Sequence, residues 1–81
     1  MELNDTMQSE FVEIILPGNS IAVGKAIVKL KLPKPVLIVL LVREGKYIQP
    51  NGSTTLEEGD KLLLLANNKE ILTEVYSILG V

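Results

Sequence analysis

The chain has 81 residues, 47% hydrophobic but only 4% aromatic, with 8 basic and 10 acidic side chains, a net charge of -2 and neither cysteine nor histidine. One domain fits that length, and a domain so small buries only about 60% of its unfolded surface, so its core is thin and built from Ile, Leu and Val. The composition removes disulfides, thiolate and imidazole metal sites, Cys nucleophiles and His bases, and the acidic balance argues against a nucleic-acid partner, which needs a basic face.

Residues 1–9 are polar without a sustained period and read as a linker or disordered leader, with the domain proper in 10–81. From Phe11 to Leu16 apolar and polar positions alternate, placing Val12, Ile14 and Leu16 on one face of a half-buried strand that Pro17 and Gly18 stop. Asn19 or Ser20 is then placed to cap a short helix, because Val23, Ala26, Ile27 and Leu30 fall at helical spacing with Lys25 and Lys29 on the wet side. Pro33 and Pro35 end it, and Val36 to Val42 follows as seven unbroken apolar residues. Three Val and one Ile in so short a run favour a strand covered on both faces over a buried helix.

Glu44-Gly45 reverses the chain into a returning strand, Lys46 to Gln49, whose following Pro50 suggests a sheet edge, and Asn51-Gly52 supplies another turn. A further turn over 56–60 leads into Lys61 to Ala66, a second aliphatic strand expected beside the first. A last helix begins near Asn67 with Glu70 three residues on, places Ile71, Leu72, Val75, Ile78 and Leu79 on one stripe, and closes at Gly80. The fold expected is therefore α+β, a small, mostly antiparallel four-stranded sheet with two helices in the order β-α-β-β-β-α. The longest apolar run is far below the roughly 20 residues of a spanning helix, and no signal peptide opens the chain, so a cytosolic location is expected.

In order and spacing, several pieces of the chain resemble one family. They are Phe-Val-Glu-Ile-Ile-Leu at 11–16, Asn19-Ser20 with Val23-Gly24-Lys25, and Leu32-Pro33 before the aliphatic strand. Arg43 at that strand's end, Pro50-Asn51-Gly52-Ser53-Thr54, and Leu56 with Glu58-Gly59-Asp60-Lys61-Leu62 complete the set. The chain is similar to the C-terminal subdomain of the regulators of potassium conductance, the TrkA-C domain, and reads most like the versions on potassium/proton antiporters. The family's usual companion, a nucleotide-binding subdomain with a Gly-rich phosphate loop, has no counterpart here, because the chain contains no G-x-G-x-x-G. NAD binding is therefore not implied.

The resemblance implies a two-fold homodimer on the cytoplasmic side of the inner membrane, attached to a membrane transporter domain of the same or a partner chain. For the aliphatic strand it tips the balance from an ordinary central strand towards a partner-facing one, with Val36, Ile38, Leu40 and Val42 as the expected dimer interface. It also implies a cyclic dinucleotide, or another small anionic effector, in the cleft between subunits at Leu37, Ile38, Arg43, Gln49 and Pro50. Aliphatic side chains there would sandwich the bases and Arg43 would meet a phosphate. The plainer reading of Arg43 is a solvated charge beside Glu44. Gln49 departs from the family pattern, standing where a shorter amide is expected.

Three other groups invite a functional reading. Asn19 and Ser20 sit where a helix N-terminus would meet an anion, though such residues more often only cap. Glu57, Glu58 and Asp60 gather carboxylates as a hard cation requires, but their spacing matches no calcium loop and a solvated turn is the expectation. Ser53, Thr54 and Thr55 have no base at a recognisable spacing, so no catalytic residue and no metal ligand is expected. The alternative to a ligand sensor is a purely structural dimerisation module.

Overall fold

The computed structural model describes residues 10–81. The leader expected over 1–9 lies outside the described residues. In chain order the elements are β1 (Glu10–Ile15), α1 (Ile27–Leu30), β2 (Leu37–Arg43), β3 (Lys46–Ile48), β4 (Lys61–Ala66) and α2 (Lys69–Leu79). The strands form one antiparallel sheet in the order β1-β4-β2-β3, so the two aliphatic strands are neighbours at its centre and β3 is an edge. This is the α+β order expected from the sequence.

Registers follow from side-chain alternation. Ile14, Leu62 and Leu41 stand in one row, as do Val12, Leu64 and Ile38, and these rows face the core. Leu16, Leu41, Leu56, Leu62, Leu64, Val75 and Leu79 are fully buried, each contributing about 1.5–3 kcal/mol by leaving water. The helix α2 covers this face with Leu72, Val75 and Leu79. Its N-cap is Asn68, one residue beyond the expected start, whose side chain accepts from the Ile71 N–H. Gly80 ends it in the left-handed region at φ 72, as expected.

The first helix is much shorter than its periodicity predicts. Residues 21–24 form turns, and only Ile27–Leu30 is helical. Gly24 takes φ +88, and the Gly24, Ile27 and Val28 N–H groups donate to Leu56, Thr54 and Gly52 carbonyls while Lys25 C=O accepts from Leu56. A non-local pairing with the 52–56 segment thus consumes the backbone groups that a longer helix needs. Ser20, expected as a helix cap, is instead buried in a turn, where its hydroxyl donates to the Leu79 carbonyl and accepts the Ala22 N–H.

The hairpin at Glu44-Gly45 is a two-residue turn with both φ values positive, 51° and 77°, the geometry that suits the twist of the flanking strands. Between Ile38 and Leu40 the β2–β4 register shifts by one, a bulge at Val39. Side-chain parity therefore changes in mid-strand, and the expected interface set does not share a face. Val36 and Ile38 pack against the core, whereas Leu40 and Val42 pair with Leu63 and Lys61 on the opposite face.

Candidate functional site

The face of the sheet away from the helices is largely apolar, with Glu13 and Lys61 its charged members, and, among the described residues, uncovered. Its rows are Phe11–Leu65–Leu37, Glu13–Leu63–Leu40 and Ile15–Lys61–Val42–Tyr47. Phe11, Ile15, Leu37 and Tyr47 are 59 to 78% exposed. An antiparallel sheet with one free face ordinarily makes that face polar, and contiguous apolar surface of this kind marks an interaction site. The covering expected for both faces of Val36 to Val42 is thus met, among the described residues, on one face only.

Beside this surface lies a groove of about 370 Å³. One wall comes from α1 and its exit, Ile27, Val28, Lys31 and Leu32; the other from Val36, Leu37 and Ile38; the floor from Pro50, Asn51 and Gly52. The backbone pairing of 24–28 with 52–56 holds the first wall to the floor. Leu37 belongs to both the groove and the open face, so the two surfaces are continuous. The volume is at the lower end of the range for small-molecule sites.

Of the five residues expected to bind ligand, Leu37, Ile38 and Pro50 line this groove, while Gln49 and Arg43 do not. Arg43 is tied down within the chain. Its Nε donates to Asp60 Oδ1 at 2.9 Å and its Nη2 to Asp60 Oδ2 at 2.8 Å and to the Thr55 carbonyl at 2.9 Å, with Nη1 3.1 Å from Glu57. The simple solvated charge beside Glu44 is therefore replaced by a clamp joining the end of β2 to the turn before β4.

Asp60 is fully buried, not part of a solvated turn, and also accepts the Glu57 N–H at 2.8 Å. Burial acts to raise its pKa; the Arg43 hydrogen bond, the Glu57 N–H and the Arg43 charge outweigh that and hold the carboxyl below its usual value. The Asp60 hydrogen bond, opposed by desolvation, raises Arg43 above its own usual value, with the charges of Asp60, Glu57 and Glu44 adding to it. Two of the three carboxylates of this turn, Glu57 and Asp60, serve Arg43, and among the described residues no cluster of acidic side chains is arranged to hold a metal ion.

Of the hydroxyls at 53–55, those of Ser53 and Thr54 are turn ligands. Ser53 Oγ donates to Asn51 Oδ1, and Thr54 Oγ1 accepts the Asn51 N–H. They shape the groove floor by locking the 51–54 turn. The sequence reading missed Ile27, Val28, Lys31 and the Asn51-Gly52 floor as groove residues, and only Lys31 carried a visible signal. It sits among Lys25, Lys29 and Lys34 in a stretch, 25–34, with no acidic residue.

Comparison with known proteins agrees with this architecture. The TrkA-C domain family matches residues 11–80. The chain belongs to that family. The Trk system potassium uptake protein TrkA of Mycobacterium tuberculosis is 41% identical over 61 residues, which is 75% of this chain and 28% of that protein. A TrkA homolog of Archaeoglobus fulgidus is 42% identical over 60 residues, 74% of this chain and 14% of that protein. This TrkA-C domain thus spans less than a third of either relative.

Among solved structures, the RCK_C domain dimer of S. agalactiae BusR in complex with c-di-AMP superposes with a TM-score of 0.72 at 25% identity, over 86% of this chain and 95% of that one. S. agalactiae BusR in complex with its busAB-promotor DNA gives the same score and identity, matching 86% of this chain and 35% of that one. Among the described residues no helix of the domain is long and apolar enough to cross a membrane.

Proposed function

We propose that this TrkA-C domain is the ligand-sensing regulatory part of a potassium or related cation transport system, antiporter or channel, that it works as a homodimer on the cytoplasmic side, and that it is not an enzyme. The observation that carries this reading is the continuity between a largely apolar sheet face, uncovered among the described residues, and an apolar groove, joined at Leu37. A second copy seated on the open face hides Phe11, Ile15 and Tyr47 from water and brings two grooves into one assembly. The groove walls offer aliphatic surface for a base, and c-di-AMP, held by the BusR dimer, is the effector to which we assign them. The relatives named for potassium uptake support the transport setting.

Regulation follows from differential binding, since a ligand shifts gating only as far as it prefers one arrangement of the two subunits over another. The partner is the transporter's membrane part, and nucleic acid has no place in this reading, because the charge of -2 gives the chain no overall basic character. A thermal-shift titration with c-di-AMP tests it. A ligand bound only by the folded state adds about 2.7 kcal/mol at a hundredfold excess over Kd, which raises Tm by roughly 10 °C or more in a domain this small. An unchanged Tm with this and other adenine nucleotides would favour a purely structural dimerisation module.

A further inference from the structure

We infer that Lys31 is the cation that meets the ligand's phosphate, an inference that rests on the groove being the effector site. Arg43, the cation at the end of β2, is unsuited to that task. It does not line the groove, and all three of its side-chain nitrogens face Asp60, Thr55 or Glu57. Turning it towards a ligand would leave the fully buried Asp60 carboxylate without its counter-charge, a costly exchange.

Lys31 has the opposite properties. It lines the groove and is exposed, and among the described residues both ion pairs belong to Arg43, so its ammonium is not neutralised by an acidic neighbour. Its backbone is also unusual. Lys31 is the C-cap of α1 at φ 53 and ψ 52, a left-handed conformation that glycine or asparagine ordinarily takes. A non-glycine residue is strained there by its Cβ, and such outliers gather at ligand sites. The left-handed turn sets the lysine at the helix exit, on the groove wall, between Val28 and Leu32.

Charge complementarity selects the occupant. The segment 25–34 holds Lys25, Lys29, Lys31 and Lys34 and no acid, and the charge it brings to the groove lining is that of Lys31, a cation in a chain that is negative overall. Apolar walls with a single flexible ammonium fit a phosphate-bearing nucleobase ligand: the base packs against Ile27, Ile38 and Pro50 while Lys31 takes the phosphate. In a two-fold dimer each copy's lysine serves one phosphate of a symmetric ligand.

Calorimetric titration of the whole chain with c-di-AMP tests this, comparing wild type with Lys31→Gln, Lys31→Arg and Lys34→Gln at two salt concentrations. Lys31→Gln weakens binding by about tenfold or more, as expected for one charge-assisted hydrogen bond, and flattens the salt dependence. Lys31→Arg keeps the charge and restores most of the affinity, whereas Lys34→Gln has the smaller effect. Parallel titration with 5′-AMP distinguishes a cyclic dinucleotide from a mononucleotide, and a loss in Lys31→Gln with either supports the assignment. If wild type binds and Lys31→Gln binds equally well with the same salt dependence, the role of Lys31 is overturned while the groove stands as the effector site. If wild type binds neither nucleotide, the effector reading itself falls and takes this assignment with it.

Discussion

Replacing Asp60 by asparagine strikes the buried end of the clamp that Arg43 makes. The carboxylate is fully buried and accepts three hydrogen bonds of 2.8 to 2.9 Å, two from Arg43 and one from the Glu57 N–H. Asparagine keeps the shape but sets an NH2 group against donors and leaves Arg43 without its counter-charge. Removing one member of a buried pair costs roughly 3–5 kcal/mol. The Arg43 side chain remains 25% exposed and keeps Thr55 and Glu57, so the lower limit applies and the expected loss is about 3 kcal/mol.

Domains hold about 0.05–0.15 kcal/mol per residue, so that loss is a large share of the total. Urea unfolding at fixed protein concentration is the assay, because a dimer's midpoint shifts with concentration. The midpoint falls at unchanged m-value, and in a double-mutant cycle with Arg43→Met the two losses are far from additive. A loss under about 1 kcal/mol, or losses that simply add, would refute the clamp.

Acid should have the same effect on this pair. Asp60 has a folded pKa below its unfolded value of about 3.9, so its contribution is fully present above that pH and is lost as pH falls towards the lower folded value; the Asp60→Asn variant should lack this component in pH-dependent melts. Leu63→Glu puts a charge at the centre of the open sheet face and should yield a monomer in sedimentation experiments while far-UV circular dichroism is unchanged. Gly80→Ala places a Cβ 2.9 Å from the Ile21 side chain at φ +72, and should lower stability by about 1–2 kcal/mol in chemical melts. Asn68→Ala removes the cap of α2 and should cost about 1 kcal/mol, read as lost helicity and a lower Tm.

The sequence was most informative where structure is local. Alternation in β1, the two aliphatic strands, the Glu44-Gly45 hairpin and the stripe of α2 are all written in spacing and turn residues, and their order yields the sheet. What was not legible arises from contacts distant along the chain. The helix expected from Ser20 to Leu30 gives way to pairing between 24–28 and 52–56, and no periodicity reports such competition. The bulge at Val39 reverses side-chain parity, so Val36 and Ile38 join the core while Leu40 and Val42 face outward. Asp60 looked like one carboxylate among three in a wet turn, because its partner lies 17 residues earlier on another element.

The candidate site was half legible for the same reason. Leu37, Ile38 and Pro50 come together in the groove because β2 and the loop after β3 are joined by a hairpin. Its other wall arrives from α1, through the long-range pairing just described.

The central claim, a paired sensor with a ligand held between its copies, is tested most directly by sedimentation velocity of the chain mixed with c-di-AMP, followed at the nucleotide's absorbance. The account predicts that the nucleotide moves with a species of about twice 8.9 kDa, at one ligand for two chains. A species of 8.9 kDa at high concentration, with the nucleotide left behind at the meniscus, would contradict it.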